Sequence, residues 1–293
     1  MKKAKKLKLA LPKGSLQEAT VSLFSRAGFE VRADSRSYNL DIDDVEIEAV
    51  LLRAQEIPRY VEIGAFDAGI SGKDWIRENR ARVREVCELM YAKQGFRSVK
   101  IVLAVPRGGG ITSVRDLEGK IVATELVAVT RSYLRKHGVK ADVEFSYGAT
   151  EIKAGNLVDA IVEITETGTT LRSHGLEIID VLMESTPRLI ANREAMKDRW
   201  KRDKIENIAL LLRSALVGAG KVGLKMNVEQ KNLKAVLGHL PAMKRPTVAP
   251  LAGERWFAVE TVINKDEAKR LIPLLKKKGA QGLVEYPLNK VID

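Results

Sequence analysis

The stretch Asp159-Ala160-Ile161-Val162-Glu163-Ile164-Thr165-Glu166-Thr167-Gly168-Thr169-Thr170-Leu171 decides how the rest of the chain is read. Residues 161–164 have the apolar run of a buried strand, and residues 165–170 read as the loop that follows it. That loop offers several backbone N–H groups and hydroxyls around one glycine, which suits a single anion. Glu163, on the strand just before it, can accept hydrogen bonds from sugar hydroxyls. An acid on a strand followed by a Thr-Gly-Thr turn is what a ribose 5-phosphate group needs. The competing reading is a polar turn capping a helix at Thr170, where Ser and Thr are favoured in any case.

Outward from this stretch, strands and helices alternate. Upstream, residues 7–11 read as a strand broken by Pro12-Lys13-Gly14-Ser15, residues 17–27 as a helix stopped by Gly28, and 47–52 as a second strand. A short helix is expected over 57–62, with Pro58 in its first turn. Residues 65–70 read as a short strand ending in Ser71-Gly72. Further strands are expected over 100–105, 121–124 and 143–146, with helices over 129–136 and 152–156. Residues 181–189 have strand character and 191–213 have helical spacing. This alternation predicts an α/β fold with a partly parallel sheet. The last 75 residues, 219–293, differ. Strands over 222–226, 247–251, 256–263 and 282–286, with helices over 229–237 and 267–277, give the order β-α-β-β-α-β of a ferredoxin-like domain, with Gly253 read between its middle strands.

Composition narrows the function classes. The chain has 293 residues, 45% hydrophobic, so a packed core is expected. No apolar run is long enough for a membrane span, and the N-terminus lacks a signal-peptide pattern, which predicts a cytoplasmic protein. Cys87 is the sole cysteine, so no intrachain disulfide can form, and it is read as a packing residue. The formal charge is +12. Lys2, Lys3, Lys5, Lys6 and Lys8 account for five of these charges, which leaves +7 for the body. Aromatic residues are only 5% and no nucleic-acid-binding signature is present, so the nucleic-acid reading starts low; the Lys-rich tip reads as a solvated end, and anionic substrates explain the remaining excess equally well. His137, His174 and His239 have no metal-ligand spacing and read as helix-end or surface residues. No Ser-His-Asp or Cys-His arrangement is present.

Four glycine-bearing turns follow strands: Lys13-Gly14-Ser15, Ser71-Gly72-Lys73, Arg107-Gly108-Gly109-Gly110 and Thr167-Gly168-Thr169. In an open α/β sheet such loops face the ligand crevice. The triplet 108–110 lacks dinucleotide or Walker spacing and reads as a loop. Lys13 is placed to meet a phosphate, with a plain strand-to-helix turn over Pro12-Lys13-Gly14-Ser15 as the equal alternative; Arg53, at a strand end, could clamp an anion with its planar fork or be a surface residue. Asp67 or Asp74 could orient a sugar or a metal-bound anion, or could pair with a nearby base.

Taken in order, Leu11-Pro12-Lys13-Gly14-Ser15-Leu16, Asp67-Ala68-Gly69-Ile70-Ser71-Gly72-Lys73-Asp74, Gly148-Ala149-Thr150-Glu151, the 159–171 stretch, Pro187-Arg188-Leu189-Ile190-Ala191-Asn192 and Pro246-Thr247-Val248-Ala249-Pro250-Leu251 resemble the long form of the ATP phosphoribosyltransferases, which begin histidine biosynthesis. Many members carry Asp where this chain has Glu163. The resemblance implies transfer of the ribosyl group of phosphoribosyl pyrophosphate (PRPP) from C1 to N1 of ATP, with Mg²⁺ required and pyrophosphate released. It implies two periplasmic-binding-protein-like lobes, with residues 1–97 and 183–218 in the first and 98–182 in the second. It also implies a regulatory domain over 219–293 that binds histidine, and dimers that assemble into hexamers. Glu163, Thr165, Thr167, Gly168, Thr169 and Thr170 would then hold PRPP. Lys13, Gly14, Ser15, Arg53, Asp67, Gly72, Asp74, Thr124 and Glu151 would line the ATP and PRPP crevice, and Thr247 would belong to the histidine site. No residue is assigned as acid, base or nucleophile, none as a metal ligand, and no nucleic-acid or membrane partner is expected. The rival is a bilobal small-molecule sensor without chemistry.

Overall fold

The computed structural model describes residues 5–33, 38–91, 98–241, 245–252 and 255–292. The elements in chain order are β1 (Leu7–Lys13), α1 (Gln17–Ala27), β2 (Val31–Ala33), β3 (Asn39–Ile42), β4 (Ile47–Arg53), α2 (Ile57–Glu62), β5 (Ala68–Gly72), α3 (Lys73–Glu78), β6 (Arg84–Glu88), β7 (Val99–Pro106), β8 (Ile121–Thr124), α4 (Val127–Lys136), β9 (Asp142–Phe145), β10 (Ala160–Thr165), α5 (Thr169–Ser173), β11 (Leu176–Ser185), β12 (Pro187–Ala191), α6 (Arg199–Ala219), β13 (Lys221–Glu229), α7 (Gln230–Leu237), β14 (Thr247–Pro250), β15 (Trp256–Asn264), α8 (Lys265–Lys277) and β16 (Ala280–Pro287). They form two compact units: residues 1–25 with 29–209, and residues 26–28 with 210–293.

The larger unit holds two sheets. The first has the order β2-β3-β4-β1-β5-β12-β6 and the second β11-β7-β10-β8-β9. β1 is the centre of the first sheet and is parallel to both β4 and β5. Leu7, Leu9, Ala10 and Leu11 are all buried, as a parallel strand covered on both faces requires. In the second sheet β10 is antiparallel to β7 and parallel to β8. Side chains alternate between two clusters. Ile101, Leu103, Val105, Val122 and Val162 pack with Leu126 and Leu134 at α4, while Val102, Ala104, Ala123 and Ile161 pack with Leu171 and Leu176 on the other face.

The smaller unit is a four-stranded sheet of order β14-β15-β13-β16, antiparallel throughout. Val222, Leu224, Met226 and Val228 on alternate positions of β13 bury against Val236 of α7 and Leu271 and Leu275 of α8. The order of elements and of strands is ferredoxin-like. Among the described residues no helix is long and apolar enough to cross a membrane.

Several sequence expectations are corrected. Residues 152–156 are not a helix: one 3₁₀ turn covers Thr150–Ile152, and Gly155, at φ +82°, turns the chain so that its N–H meets the Val158 carbonyl at 2.8 Å. Residues 181–189 are not one strand. β11 ends in the second sheet at Ser185, and β12 begins in the first at Pro187. The helix expected from 191 starts at Arg199, because the Asn192 side chain takes the N–H groups of Glu194 and Ala195 and holds the chain in a turn. The strand at 65–70 lies instead at Ala68–Gly72. Strands β2, β3 and β6 and helix α3 were not anticipated. Gly253, Lys2 and Lys3 fall outside the described residues.

Candidate active site

Parallel pairing of β1 with β4 sets Lys13 opposite Arg53 at the carboxyl ends of both strands. Gly14, at φ +98°, turns the chain there, and a Cβ on it would lie 3.5 Å from the Arg53 guanidinium. The Lys13 ammonium stands 4.0 Å from the centre of the Tyr38 ring. β5 ends beside them, and α3 starts at once from Gly72. Asp74, in the first turn of α3, is buried and accepts a 2.8 Å hydrogen bond from the Ser185 hydroxyl, while its own N–H donates to that hydroxyl at 3.0 Å. Burial pushes the Asp74 carboxyl above its ordinary value, with the Ser185 bond opposing that rise. Lys13, Arg53, Gly72, Asp74 and Ser185, with Ser15, Gln55, Trp75 and Tyr91, line a cavity of about 350 Å³ that reaches Glu125, Ile164, Thr165 and Glu166 at the ends of β8 and β10.

A second cavity of about 370 Å³ is built from the ends of β8 and β10. It is lined by Glu125, Gly148, Ala149, Glu151, Glu163, Thr165, Glu166, Thr167 and Thr170. The turn at its rim is fixed internally. Thr165 Oγ1 accepts the Gly168 N–H at 2.8 Å, the Thr167 and Thr169 hydroxyls lie 2.9 Å apart, and Arg172 donates to the Thr167 carbonyl at 3.0 Å. Gly168, at φ +72°, is the N-cap of α5. The helix predicted to be capped at Thr170 therefore begins at Thr169, through backbone geometry and not through a side-chain cap. Ala149, at φ +49°, adopts a left-handed conformation that costs a non-glycine residue strain, and such strain gathers at ligand sites. The Glu163 carboxyl is raised above its usual value by burial, with Glu125 and Glu151 adding to the effect, and its Oε1 accepts the Ile164 N–H at 2.9 Å.

Most residues singled out in the sequence meet at these cavities. Lys13, Ser15, Arg53, Gly72, Asp74 and Thr165 line the first, and Glu151, Glu163, Thr165, Thr167 and Thr170 the second. Gly14, Gly168 and Thr169 shape the turns around them without lining either. Asp67 is elsewhere. It precedes β5, so it lies at the amino end of that strand, where its carboxylate takes the Lys8 N–H at 2.9 Å and pairs with Lys201 at 2.6 Å. Thr124 is buried beneath the site and its hydroxyl accepts the Leu126 N–H at 3.0 Å. The next residue, Glu125, is the one that faces both cavities, so strand-end reasoning stopped one residue short. Trp75, Tyr91, Gln55 and Ser185 were also missed. Trp75 and Ser185 sit where α3 and the β11–β12 crossing bring chain-distant segments together, which local sequence does not announce. Thr247 lies exposed on β14 in the smaller unit. His137, His174 and His239 each follow a helix and are exposed. Among the described residues no group of three or more His, Cys, Asp or Glu is arranged to hold a metal ion.

Residues 53–214 match the family model described as ATP phosphoribosyltransferase, and residues 219–290 match the model described as the HisG C-terminal domain. The chain belongs to the ATP phosphoribosyltransferase family. It is 55% identical over 286 residues to the ATP phosphoribosyltransferase of Solibacter usitatus (strain Ellin6076), covering 98% of this chain and 99% of that one. It is 54% identical over 289 residues to that of Chlorobium chlorochromatii (strain CaD3), covering 99% and 98%. Among solved structures it resembles the ATP phosphoribosyl transferase (HisG:HisZ) complex from Thermotoga maritima, with a TM-score of 0.60, 26% identity, and coverage of 71% of this chain and 98% of that one. Membership makes this chain a transferase that joins N1 of ATP to C1 of PRPP with release of pyrophosphate, the first step of histidine biosynthesis.

Proposed function

We propose that the second cavity holds the phosphoribosyl half of PRPP and that the first holds ATP and the departing pyrophosphate. The supporting observation is the shared wall. Glu125, Ile164, Thr165 and Glu166 line both cavities, so a donor seated in one presents its reacting end to the other. The turn 165–170 places N–H groups and hydroxyls at the 5-phosphate, and Glu163 takes the ribose hydroxyls. Lys13 and Arg53, side by side, balance phosphate charge as the C1–oxygen bond breaks and N1 attacks. An ionised Glu163 also faces the positive charge that develops on the ribosyl centre. No general base is required of the protein, because pyrophosphate is already a good leaving group. Catalysis then rests on positioning and charge.

Mg²⁺ is the metal of this reading. In this reading the ion is carried in on phosphate oxygens with few protein ligands, as Mg²⁺ often is with phosphate substrates, and Glu125 faces both cavities. Bound in this way, Mg²⁺ would neutralise the pyrophosphate. The smaller unit is assigned the sensing of histidine as pathway inhibitor, with Thr247 among its contacts, and assembly from dimers to hexamers would carry the response. A cytoplasmic location goes with these substrates. Mixing the protein with ATP, PRPP and Mg²⁺ should yield a new ultraviolet-absorbing adduct and one pyrophosphate for each. Lys13→Ala and Arg53→Ala should each slow this turnover. Full turnover in both variants would overturn the placement.

A further inference from the structure

A further cavity lies outside the active site. It is a groove of about 1100 Å³ on the larger unit, formed by α3 and the turn after it, α4, and β11. Arg77, Arg80, Arg135 and Lys136 line it, with His137 beside them. Among the described residues none of these four cations forms an ion pair. The one acid in the lining, Asp180, accepts a hydrogen bond from the Tyr133 hydroxyl. Ile76, Val129 and Met183 add apolar surface to the lining, and the Tyr133 and His137 rings meet there at a tilt of 48° with centres 4.5 Å apart. Four positive charges against one carboxylate around one concavity repel one another in the empty protein, and a polyanion relieves that repulsion. The apolar surface and ring pair would receive a flat organic group attached to it.

We propose that this groove is a second anion site, distinct from the crevice, which takes the oligophosphate of a small molecule. Its walls connect to the catalytic cavity. α3 carries Ile76 and Arg77 into the groove but Asp74 and Trp75 into the cavity. The Glu78 carboxylate receives the N–H groups of Ala128 and Val129 at 2.9 Å each, which ties α3 to the start of α4, just after Glu125. An anion held by Arg80 and Arg135 therefore bears on α3, which lines the crevice, and on α4, which starts two residues after Glu125.

The test is calorimetric titration of inorganic tripolyphosphate, and separately of GTP, into the full chain. Three proteins are compared: wild type, the crevice double variant Lys13→Ala/Arg53→Ala, and the groove triple variant Arg80→Gln/Arg135→Gln/Lys136→Gln. Gln keeps helix propensity close to that of Arg and Lys at positions 135 and 136 of α4, Arg80 lies in the turn after α3, and all three positions are exposed, so the triple variant should melt with the wild type. The crevice variant should retain one salt-sensitive site. In the background of that variant the groove changes should weaken it at least tenfold. Tighter binding of GTP than of tripolyphosphate identifies a nucleoside polyphosphate as the ligand, and equal binding identifies a bare oligophosphate. The proposal is overturned if the crevice variant binds neither probe, or if the groove changes leave its binding unaltered. Failure of the crevice assignment alone would appear as two sites persisting in the crevice variant, with one still lost on the groove changes.

Discussion

Glu163 is held where its charge is costly to the empty protein, and in the proposed site that charge faces the ribose. Burial is the first cause of its raised pKa, and the nearby Glu125 and Glu151 carboxylates add to it. A carboxyl whose folded pKa lies above its unfolded value gives stability that is complete below the unfolded value and is lost as pH rises through the folded one. At neutral pH the ionised side chain thus subtracts from stability. Glu163→Gln, whose amide oxygen can still accept the Ile164 N–H, should melt at a higher temperature than wild type at pH 7.5. The gap should close near pH 4, about the ordinary carboxyl range. The same variant should bind PRPP more weakly. Thermal scans across that pH range, with and without PRPP, check both parts, and a variant that melts lower at pH 7.5 would refute the first. Gly168 carries a different constraint. Its φ of +72° suits glycine, and a Cβ there would stand 3.0 Å from both Arg172 Nη1 and Ile178 Cδ1. A β-branched residue adds strain of about 1–2 kcal/mol from the backbone alone. Gly168→Val should abolish PRPP binding with the circular dichroism spectrum retained, and Gly168→Ala should fall between. Unchanged affinity in the Val variant would remove this turn from the site.

Among the elements, α3 joins the two sheets of the larger unit. It follows β5 of the first sheet, yet Asp74 pairs with Ser185 at the end of β11, and Glu78 takes two N–H groups at the start of α4. An acid there also meets the positive end of the helix. Glu78→Ala should therefore cost about 1 kcal/mol, the ordinary loss of a capping group. Urea unfolding followed by tryptophan fluorescence measures it, and an unchanged midpoint would show that water replaces the carboxylate at no cost. Helix α3 was invisible in the sequence for a physical reason. Lys73–Glu78 has too few residues to show an apolar period, and what holds it are partners 50 or more residues away. The same limit hid β6, whose residues alternate weakly at a sheet edge. By contrast β1, β7 and β10 announce themselves, because strands buried on both faces are apolar at successive positions. The Thr-Gly-Thr turn was legible because the residue types that permit φ > 0 and offer hydroxyls are few. Asp67 misled because a carboxylate beside a strand looks the same at either end. Only the parallel register with β1 shows that it lies at the amino end, where Lys201 already neutralises it.

At the scale of the whole molecule, the proposed reading puts chemistry in the larger unit and sensing in the smaller one. A site in the smaller unit can regulate only if histidine binds one global state better than another, since equal affinity shifts nothing. The family match from residue 219 and the ferredoxin-like sheet both begin at β13, but the smaller unit also includes residues 210–218 of α6, where Leu212 and Ala215 are buried. Truncation after Gly218 thus removes the whole four-stranded sheet and strips the cover from the end of α6. The truncated protein should bind no histidine in a calorimetric titration, while PRPP titration shows whether the larger unit is still folded. Thr247→Val in the full chain provides the companion measurement without truncation. Thr247 is exposed on β14, an edge strand, so its replacement leaves the core untouched and should weaken histidine while sparing PRPP. Histidine bound equally by the full chain and by a truncated protein that still binds PRPP would place the inhibitor in the larger unit. Histidine lost on truncation but unaffected by Thr247→Val would keep the inhibitor in the smaller unit and move its contacts away from the β14 edge.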